Sequence, residues 1–215
     1  YVVEETTEDC FKGIDIVLGA AENDIAEKFL PKAVAAGAVV VDNSSAFRLD
    51  ENVPLVIPEV NPEAVKSHKG IIANPNCATI IGLVALQPLN AYAKAKRAVV
   101  STYQAVSGAG VGGIRELEAQ LDAIRNGGEI DIKTFQYQIA YNLIPQIGGF
   151  NEIGYSSEEM KFQNEGRKIL GNPDFQVNCT CIRVPIIRSH SESIMVEFEN
   201  PISVEKAREL LANAP

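Results

Sequence analysis

Short apolar runs alternate with a helical pattern through the first third of the chain. Four runs have the length and the apolar character of a buried strand, at residues 14–18, 38–42, 55–57 and 71–73. Between the first two runs, apolar residues recur at helical spacing from Asn23 to Gly37, with Pro31 inside the pattern. This order predicts a parallel sheet of the doubly wound type. Ligands bind beyond the carboxyl ends of such strands, which here means the loops after Leu18 and Val41.

The rest of the chain predicts a different arrangement. Strands are predicted at residues 98–106, 177–185 and 193–198, and helices at 114–124, 158–170 and 204–212. The last two strands have the pattern of antiparallel strands. We therefore predict an α/β protein with part of a doubly wound parallel sheet in residues 1–78 and an α+β domain with a mixed sheet in residues 79–215.

Composition and charge narrow the classes of partner. The 215 residues are 46% hydrophobic, which is enough for a sizeable core, and the net charge is -9 without a basic block. Nucleic acid and anionic membrane surfaces are therefore not expected partners. No apolar run approaches a membrane span. The four cysteines lack metal-ligand spacing, so we predict no metal site, reduced thiols and a cytoplasmic protein.

Cys77 is the most informative residue. It stands in the segment 74–79, Asn-Pro-Asn-Cys-Ala-Thr, between two apolar runs. A strand, a turn and a helix in that order would place Cys77 at a helix N-terminus, where unpaired N–H groups favour a thiolate. This position suits a nucleophile, although from the segment alone a buried structural cysteine stays the commoner alternative. Asn76, beside it, could donate to an oxyanion or simply form the turn.

Two further polar residues are candidates for chemistry. His190 follows a predicted strand, and an imidazole with a pKa of about 6.5 suits acid and base roles. His68 stands in a polar loop, and a solvated turn is an open alternative for His190 as well. Gln104 ends a strand beside a glycine turn, where its amide could hold a substrate carbonyl. An ordinary polar residue on an exposed strand face is the alternative for Gln104.

Candidate cations and a glycine turn complete the pattern. Arg48 follows a Ser-Ser loop at a strand end, and its guanidinium group suits phosphate or carboxylate. Glu158 and Lys161 share a helix face, where a surface ion pair is the simpler interpretation. Ser107 and Gly108 open a glycine turn that runs into a helix, and the backbone N–H groups of such turns can approach a ligand.

Four segments together resemble the aspartate-semialdehyde dehydrogenase family. They are 42–48 (DNSSAFR), 74–79 (NPNCAT), 101–110 (STYQAVSGAG), and 183–185 (RVP) with His190. The resemblance covers nearly the whole chain in the family's order. It implies a Rossmann-type domain that binds NADP and a catalytic domain that forms a homodimer or a dimer of dimers. It also implies NADPH-dependent conversion of L-aspartyl 4-phosphate to L-aspartate 4-semialdehyde and phosphate, a step of lysine, threonine and methionine biosynthesis.

The resemblance also assigns roles to residues. Cys77 forms a thioester and His190 is the acid and base, while Gln104 and Asn76 hold the reacting oxygen. Substrate binding is implied for Arg48 and Lys161 (phosphate), Arg183 (α-carboxylate) and Glu158 (amino group). Cofactor contacts are implied at Ala20, Ser45, Ser107 and Gly108. These assignments come from the resemblance and not from spacing.

The chain departs from the family pattern in its first part. No Gly-rich dinucleotide fingerprint precedes the strand that ends at Leu18, and Ala20-Ala21-Glu22-Asn23 follows that strand where many members have Gly-Gly-Ser. We therefore expect a piece of a longer protein. Two other functions stay open. N-acetyl-γ-glutamyl-phosphate reductase shares the thioester chemistry but usually has Gly where this chain has Asn76, and a catalytically silent fragment would keep the fold alone.

Overall fold

The structure is a computed structural model, and it describes residues 2–214. Its strands are β1 (Ile16–Gly19), β2 (Val39–Asp42), β3 (Ile71–Ala73), β4 (Ala95–Gln104), β5 (Gln176–Arg183) and β6 (Ser191–Phe198). Its helices are α1 (Asn23–Ala35), α2 (Cys77–Ala93), α3 (Gly110–Asn126), α4 (Ser157–Leu170) and α5 (Val204–Ala212). The chain forms two compact units. The first comprises the residues up to Ala91, Asn164–Asp174 and the segment from Val204, and the second comprises Tyr92–Gln163 and Phe175–Ser203.

The first unit contains a parallel sheet in the order β1-β2-β3, as the sequence predicted. Helix α1 packs on it because its apolar side chains recur on one face, and Leu30 and Ala33 are buried against Val40. Burial of one such leucine contributes roughly 1.5–3 kcal/mol. Pro31 lies inside α1, and the helix continues to Ala35. The predicted strand at 55–57 is wrong, because this segment makes an isolated bridge from Leu55 to Ala73.

The second unit contains a mixed sheet in the order β5-β4-β6. β4 pairs in parallel with β5 and antiparallel with β6, so the predicted antiparallel character holds for β6 and is wrong for β5. Parallel strands need a long connection, and here it contains α3 and α4. Helix α3 ends at Asn126 and is capped by Gly127, whose φ of 68° is the left-handed conformation that glycine adopts without strain.

Buried polar side chains hold the loop that follows α3. Gln120 Oε1 accepts hydrogen bonds from the backbone N–H groups of Ile139 and Ala140, at 2.9 and 3.0 Å. Glu116 accepts the N–H groups of Lys133 and Thr134. These bonds satisfy backbone donors that would otherwise be buried without partners. They fix residues 131–140 against α3, where Ile139 and Ala140 join the apolar core.

The cysteines and the helices relate to the predictions of reduced thiols, no metal site and no membrane span. Cys10 and Cys77 are exposed, Cys179 and Cys181 are buried, and all four are free thiols. The two buried sulfur atoms lie 3.6 Å apart, because residues two apart on β5 face the same side. Among residues 2–214 no group of three or more His, Cys, Asp or Glu side chains could hold a metal ion. None of the helices described is both long and apolar enough to cross a membrane.

Candidate active site

The Cys77 turn, residues 74–76, connects β3 to α2 in the first unit. β3 ends at Ala73, and Cys77 is the exposed first residue of α2, so the predicted position at a helix N-terminus is confirmed. Asn76 Oδ1 accepts the N–H groups of Ala78 and Thr79 at 3.0 and 3.3 Å. Asn76 therefore acts as the N-cap of α2. Its carboxamide oxygen faces the helix, so its Nδ2 group is the end that could donate to an oxyanion.

Arg48 does not stand as an isolated cation in the first unit. Its Nη1 pairs with Glu165 Oε1 at 3.1 Å and its Nη2 donates to the carbonyl of Asn43 at 3.0 Å. The Arg48 side chain is 9% exposed and that of Glu165 is 3% exposed. Glu165 also accepts the backbone N–H of Asn76, through Oε2 at 2.7 Å. The role of Arg48 in phosphate binding stays a prediction, and Glu165 is a residue that the sequence reasoning missed.

Gln104, Glu158 and Lys161 form a chain of contacts in the second unit. Gln104 Nε2 donates to Glu158 Oε1 at 3.0 Å, and Lys161 Nζ pairs with Glu158 Oε2 at 2.9 Å. The Glu158 side chain is 8% exposed, so this is not the routine surface pair that spacing alone favoured. Gln104 is buried at the end of β4, and its Oε1 has no hydrogen-bond partner among the residues described. One N–H of its amide group is thus committed to Glu158.

His190 and Arg183 meet at the backbone of Ala105. The Ala105 N–H donates to His190 Nδ1 at 3.1 Å, and Arg183 Nη1 donates to the Ala105 carbonyl at 2.8 Å. Burial lowers the pKa of His190, the Arg183 charge lowers it further, and the Glu158 charge acts in the opposite direction. The neutral ring therefore predominates over a wider pH range than in a free histidine. This placement differs from the solvated turn that the residues alone left open.

Gly108 lies directly against these two side chains. A Cβ at Gly108 would stand 2.7 Å from Arg183 Nη1 and 3.3 Å from His190 Nε2. The N–H of Gly108 donates to the Ala105 carbonyl and that of Ser107 donates to the Ile187 carbonyl. Both N–H groups are therefore hydrogen-bonded within the unit, and the cofactor role of Ser107 and Gly108 stays a prediction. Ser107 is half-buried in this turn and Gly108 is exposed.

The predicted cofactor loops of the first unit follow β1 and β2. Ala20 comes directly after β1, and Ser45 lies in the loop after β2. Ser45 and Asn23 are joined by hydrogen bonds, in which the Ser45 N–H donates to Asn23 Oδ1 at 3.0 Å and Asn23 Nδ2 donates to Ser45 Oγ at 2.9 Å. Both loops therefore lie together at the carboxyl edge of a parallel sheet, where dinucleotides bind in folds of this type. Their position fits such a ligand.

Comparison with known proteins identifies the family. Residues 86–215 match the model of the semialdehyde dehydrogenase dimerisation domain, and residues 1–68 match that of the semialdehyde dehydrogenase NAD-binding domain. An aspartate-semialdehyde dehydrogenase of Aquifex aeolicus is 52% identical over 211 residues. The chain belongs to the aspartate-semialdehyde dehydrogenase family. The predicted resemblance and the predicted α/β fold class, with a Rossmann-type parallel sheet and a mixed sheet, are therefore confirmed.

Solved structures of the family agree with the fold. The crystal structure of aspartate semialdehyde dehydrogenase II complexed with ASA from Vibrio cholerae is 44% identical, with a TM-score of 0.95 over 98% of this chain. The structure of the Candida albicans enzyme with NADP is 27% identical, with a TM-score of 0.70 over 93% of this chain. The chain spans 62% of the length of the Aquifex protein, 63% of the Vibrio chain and 55% of the Candida chain. The family models do not test the predicted division at residue 78, which stays a prediction.

Proposed function

We propose that this chain carries the catalytic residues of an NADP-dependent aspartate-semialdehyde dehydrogenase. The reaction is the reductive dephosphorylation of L-aspartyl 4-phosphate to L-aspartate 4-semialdehyde. The observation that supports it most is the position of Cys77, an exposed thiol at the first residue of a helix whose N-terminus Asn76 caps. Family membership supports the reaction class.

Cys77 serves as the nucleophile. Its thiolate attacks the acyl carbon of the substrate, the carbon–oxygen bond to the phosphate group breaks, and inorganic phosphate leaves. A cysteine suits this step because a thiolate is both a strong nucleophile and a fair leaving group. When bound, NADPH supplies the hydride that reduces the thioester. The carbon–sulfur bond then breaks, which releases the aldehyde and returns the thiolate.

His190 and two amides act on the reacting oxygen. In the arrangement described, Nδ1 of His190 accepts a backbone N–H, so the neutral ring carries its proton on Nε2. This ring can donate a proton or a hydrogen bond to the oxygen of a tetrahedral intermediate. Gln104 retains one amide hydrogen beyond its bond to Glu158, and Asn76 has its Nδ2 group turned away from the helix. Both can stabilise a negative oxygen without adding charge.

The charged residues bind the two ends of the substrate. Arg183 pairs with the α-carboxylate, for which a guanidinium fork is the suitable partner. Glu158 pairs with the amino group, and Lys161, 31% exposed, binds the phosphate group. A phosphate group that binds Arg48 would have to compete with the Glu165 carboxylate for the guanidinium group. We therefore assign the larger share of phosphate binding to Lys161.

The cofactor assignment follows the carboxyl edge of the parallel sheet. Ala20 and Ser45 lie there, and Ser107 and Gly108 lie beside the proposed acid in the second unit. We propose NADP as the cofactor, in line with the Candida albicans structure, whose title names NADP. We also propose a homodimer or a dimer of dimers formed through the family's dimerisation domain. Exposed apolar side chains in that domain support this assembly: Tyr103, Tyr141, Leu143 and Met195.

The test compares two cysteine variants of the chain. Phosphate-dependent oxidation of L-aspartate 4-semialdehyde is followed by the absorbance of NADPH, for the unmodified chain, Cys77→Ser and Cys10→Ser. Cys10 is the matched control because it is the other exposed thiol of the four cysteines. We expect Cys77→Ser to lower the rate by about a thousandfold or more and Cys10→Ser to leave it unchanged.

Three outcomes would contradict the proposal. Retained activity in Cys77→Ser would exclude the thioester, since a serine hydroxyl is too weakly acidic to replace the thiolate in this position. No activity in the unmodified chain, together with no change of NADPH fluorescence on titration, would favour the catalytically silent alternative. Activity on the N-acetyl-γ-glutamyl analogue in place of the aspartyl substrate would exclude the proposed substrate.

A further inference from the structure

We infer that Glu165 is a positioning residue for Cys77, and that Arg48 acts through it. The inference deepens the proposed function and rests on it, since it takes Cys77 as the nucleophile. Glu165 lies in α4, in the stretch of that helix that belongs to the first unit. Its carboxylate connects the Cys77 turn to a buried guanidinium group.

The two oxygens of Glu165 have different partners. Oε2 accepts the backbone N–H of Asn76 at 2.7 Å, and Oε1 accepts Arg48 Nη1 at 3.1 Å. The side chains of Arg48 and Glu165 are both at least nine-tenths buried. A hydrogen bond from an N–H group to an ionised carboxylate is shorter and about twice as strong as one between neutral groups. Burial also excludes the water that would otherwise compete for Asn76. The 2.7 Å bond is therefore a firm constraint on the peptide that precedes Cys77.

This constraint acts on the first turn of α2. The side chain of Asn76 satisfies the N–H groups of Ala78 and Thr79, and its own N–H is held by Glu165. Asn76 is thus fixed by hydrogen bonds on both its backbone and its side chain. The partial positive charge of a helix N-terminus falls off within one turn, so it reaches the Cys77 sulfur when this turn is formed. Glu165 therefore contributes to the reactivity of Cys77 through the turn that precedes it.

The partner of Glu165 is itself anchored. Arg48 Nη2 donates to the Asn43 carbonyl at 3.0 Å. Lys168, one turn after Glu165 in α4, donates to the carbonyls of Arg48, Asp50 and Val53, at 2.8, 2.7 and 2.7 Å. The ion pair is therefore attached to the helix at one end and to the loop after β2 at the other. A purely electrostatic role for Arg48 would not require this second set of bonds.

A single substitution cannot separate positioning from folding. Removal of one partner from a buried ion pair leaves the other charge unpaired, which is strongly destabilising. Two double variants avoid this problem, Arg48→Met with Glu165→Gln, and Arg48→Met with Glu165→Met. Both remove the buried charges together and leave the net charge of the chain unchanged. They differ in one respect, because the glutamine keeps an oxygen that can accept the Asn76 N–H and the methionine does not.

The experiment measures the reactivity of the thiol and not turnover. The chain is treated with iodoacetamide at pH 7, and the alkylation rates of Cys77 and Cys10 are measured in the same sample by peptide mass spectrometry. Cys10 is an internal reference because it is also exposed. Circular dichroism and thermal unfolding establish that each variant is folded at the temperature used. A change of global stability alone leaves the ratio of the two rates in the folded chain unaltered.

We expect the Cys77 to Cys10 ratio in the glutamine variant to be close to that of the unmodified chain. In the methionine variant we expect it to be about three- to tenfold lower, in proportion to the usual effect of a helix N-terminus. Equal ratios in the two folded variants would overturn the inference. If the methionine variant does not fold, native-state hydrogen exchange of the unmodified chain tests the inference instead. Protection of the Asn76 amide equal to that of Ala78 supports the inference, and rapid exchange of Asn76 overturns it.

Turnover separates this inference from the proposed function. If the unmodified chain is active, kcat should be lower in the methionine variant than in the glutamine variant, in parallel with the alkylation ratio, while KM is the same in these two variants, which both lack Arg48. A difference of KM between them without a difference of kcat would contradict a positioning role. If the unmodified chain is inactive, the proposed function fails, and the alkylation ratio still reports whether Glu165 holds the Cys77 turn.

Discussion

Ala105 and His190 are joined by a hydrogen bond in which the backbone N–H of Ala105 donates to Nδ1 of the ring at 3.1 Å. The carbonyl of the same residue accepts Arg183 Nη1 at 2.8 Å. One residue at the end of β4 thus holds an imidazole and a guanidinium group side by side. A doubly protonated ring would place its Nδ1–H against the Ala105 N–H. The neutral ring with its proton on Nε2 is the form that this arrangement accepts.

The first prediction concerns the tautomer and the titration of His190. We expect Nδ1 to be unprotonated and Nε2 to carry the proton at pH 7, as measured by long-range proton–nitrogen NMR spectra. Burial and the Arg183 charge lower the pKa of His190, so its titration midpoint should lie below 6.5. The unfolded chain takes up this proton near pH 6.5 and the folded chain at lower pH. The contribution of His190 to the free energy of unfolding should therefore decrease as the pH falls below 6.5.

The chain has two histidines, which makes the assignment direct. His68→Gln removes one of the two sets of ring signals and identifies the other as that of His190. A midpoint above 6.5, or a protonated Nδ1 at neutral pH, would contradict both the titration and the orientation of the ring.

The second prediction concerns Gly108→Ala. The added Cβ would stand 2.7 Å from Arg183 Nη1, which is the flexible end of a long side chain. Arg183 and His190 can therefore move aside at little cost to folding, but they leave the positions that the proposed reaction uses. We expect a loss of turnover of roughly tenfold or more, since a misplacement of about 1 Å can cost that much. The unfolding midpoint should change little, and the His190 ring signals should shift.

Gly128→Ala is the matched control for this variant. A Cβ at Gly128 meets its nearest atom at 3.6 Å, which is ordinary van der Waals contact. It should leave both turnover and the His190 signals unchanged. Equal behaviour of the two alanine variants would show that the close contact at Gly108 has no effect on the site.

The third prediction concerns Glu192 in β6. Burial raises the pKa of this carboxyl group from its ordinary value of 4.5 to about 7, and neither of its oxygens has a hydrogen-bond partner among residues 2–214. Between pH 4.5 and 7 Glu192 binds its proton more strongly in the folded chain than in the unfolded chain, so its contribution to the free energy of unfolding should fall as the pH rises through this range. Glu192→Gln should remove that dependence and stabilise the chain at pH 8, by on the order of 1 to 3 kcal/mol.

Thermal or denaturant unfolding at pH 5 and pH 8 measures this effect. Glu197→Gln is the control, because Glu197 is on the same strand with a side chain that is 48% exposed. If Glu192→Gln is less stable than the unmodified chain at pH 8, then the carboxylate has a partner that compensates for its burial, and the prediction is wrong.

The fourth prediction concerns Lys168→Met. This variant keeps much of the apolar stem but loses three hydrogen bonds from a charged group to backbone carbonyls. We expect a loss of stability on the order of 2 to 4 kcal/mol, because such carbonyls are costly to leave without donors. Lys66→Met is the control, since Lys66 is an exposed residue paired with Glu63, and exposed pairs contribute less than about 1 kcal/mol. Equal unfolding midpoints for the two variants would contradict the prediction.

Periodicity predicted the elements of this fold well where one face is apolar. The parallel sheet of the first unit and the helix over 204–212 were both predicted from it, and the structure confirms them. The segment 55–57 was wrongly predicted as a strand because three apolar residues are buried whether or not they pair with a sheet. Leu55 and Ile57 are buried in the structure, while only an isolated bridge is formed. A run of three apolar residues indicates burial, but it does not distinguish a strand paired in a sheet from a buried segment that is not paired.

The site could be predicted as a set of residues but not as a set of partners. Cys77 at a helix start follows from local turn chemistry, which a sequence displays directly. The bond between Gln104 and Glu158, and that between Arg48 and Glu165, join residues 54 and 117 positions apart. No local pattern encodes such pairs. Glu165 is the clearest omission, and the one sign of it was an acidic residue in the middle of an amphipathic helix.

The ammonium group of Lys168 binds backbone carbonyls, and carbonyls are present at every position whatever the side chain. Residues 48–53 can therefore change their side chains without loss of these three bonds, provided that the path of the chain is kept. The same freedom does not extend to position 168, where one replacement removes all three bonds together. Saturation mutagenesis of residues 48–53 and of position 168 should show this difference in tolerance to substitution, with many residues accepted at Asp50 and few at Lys168.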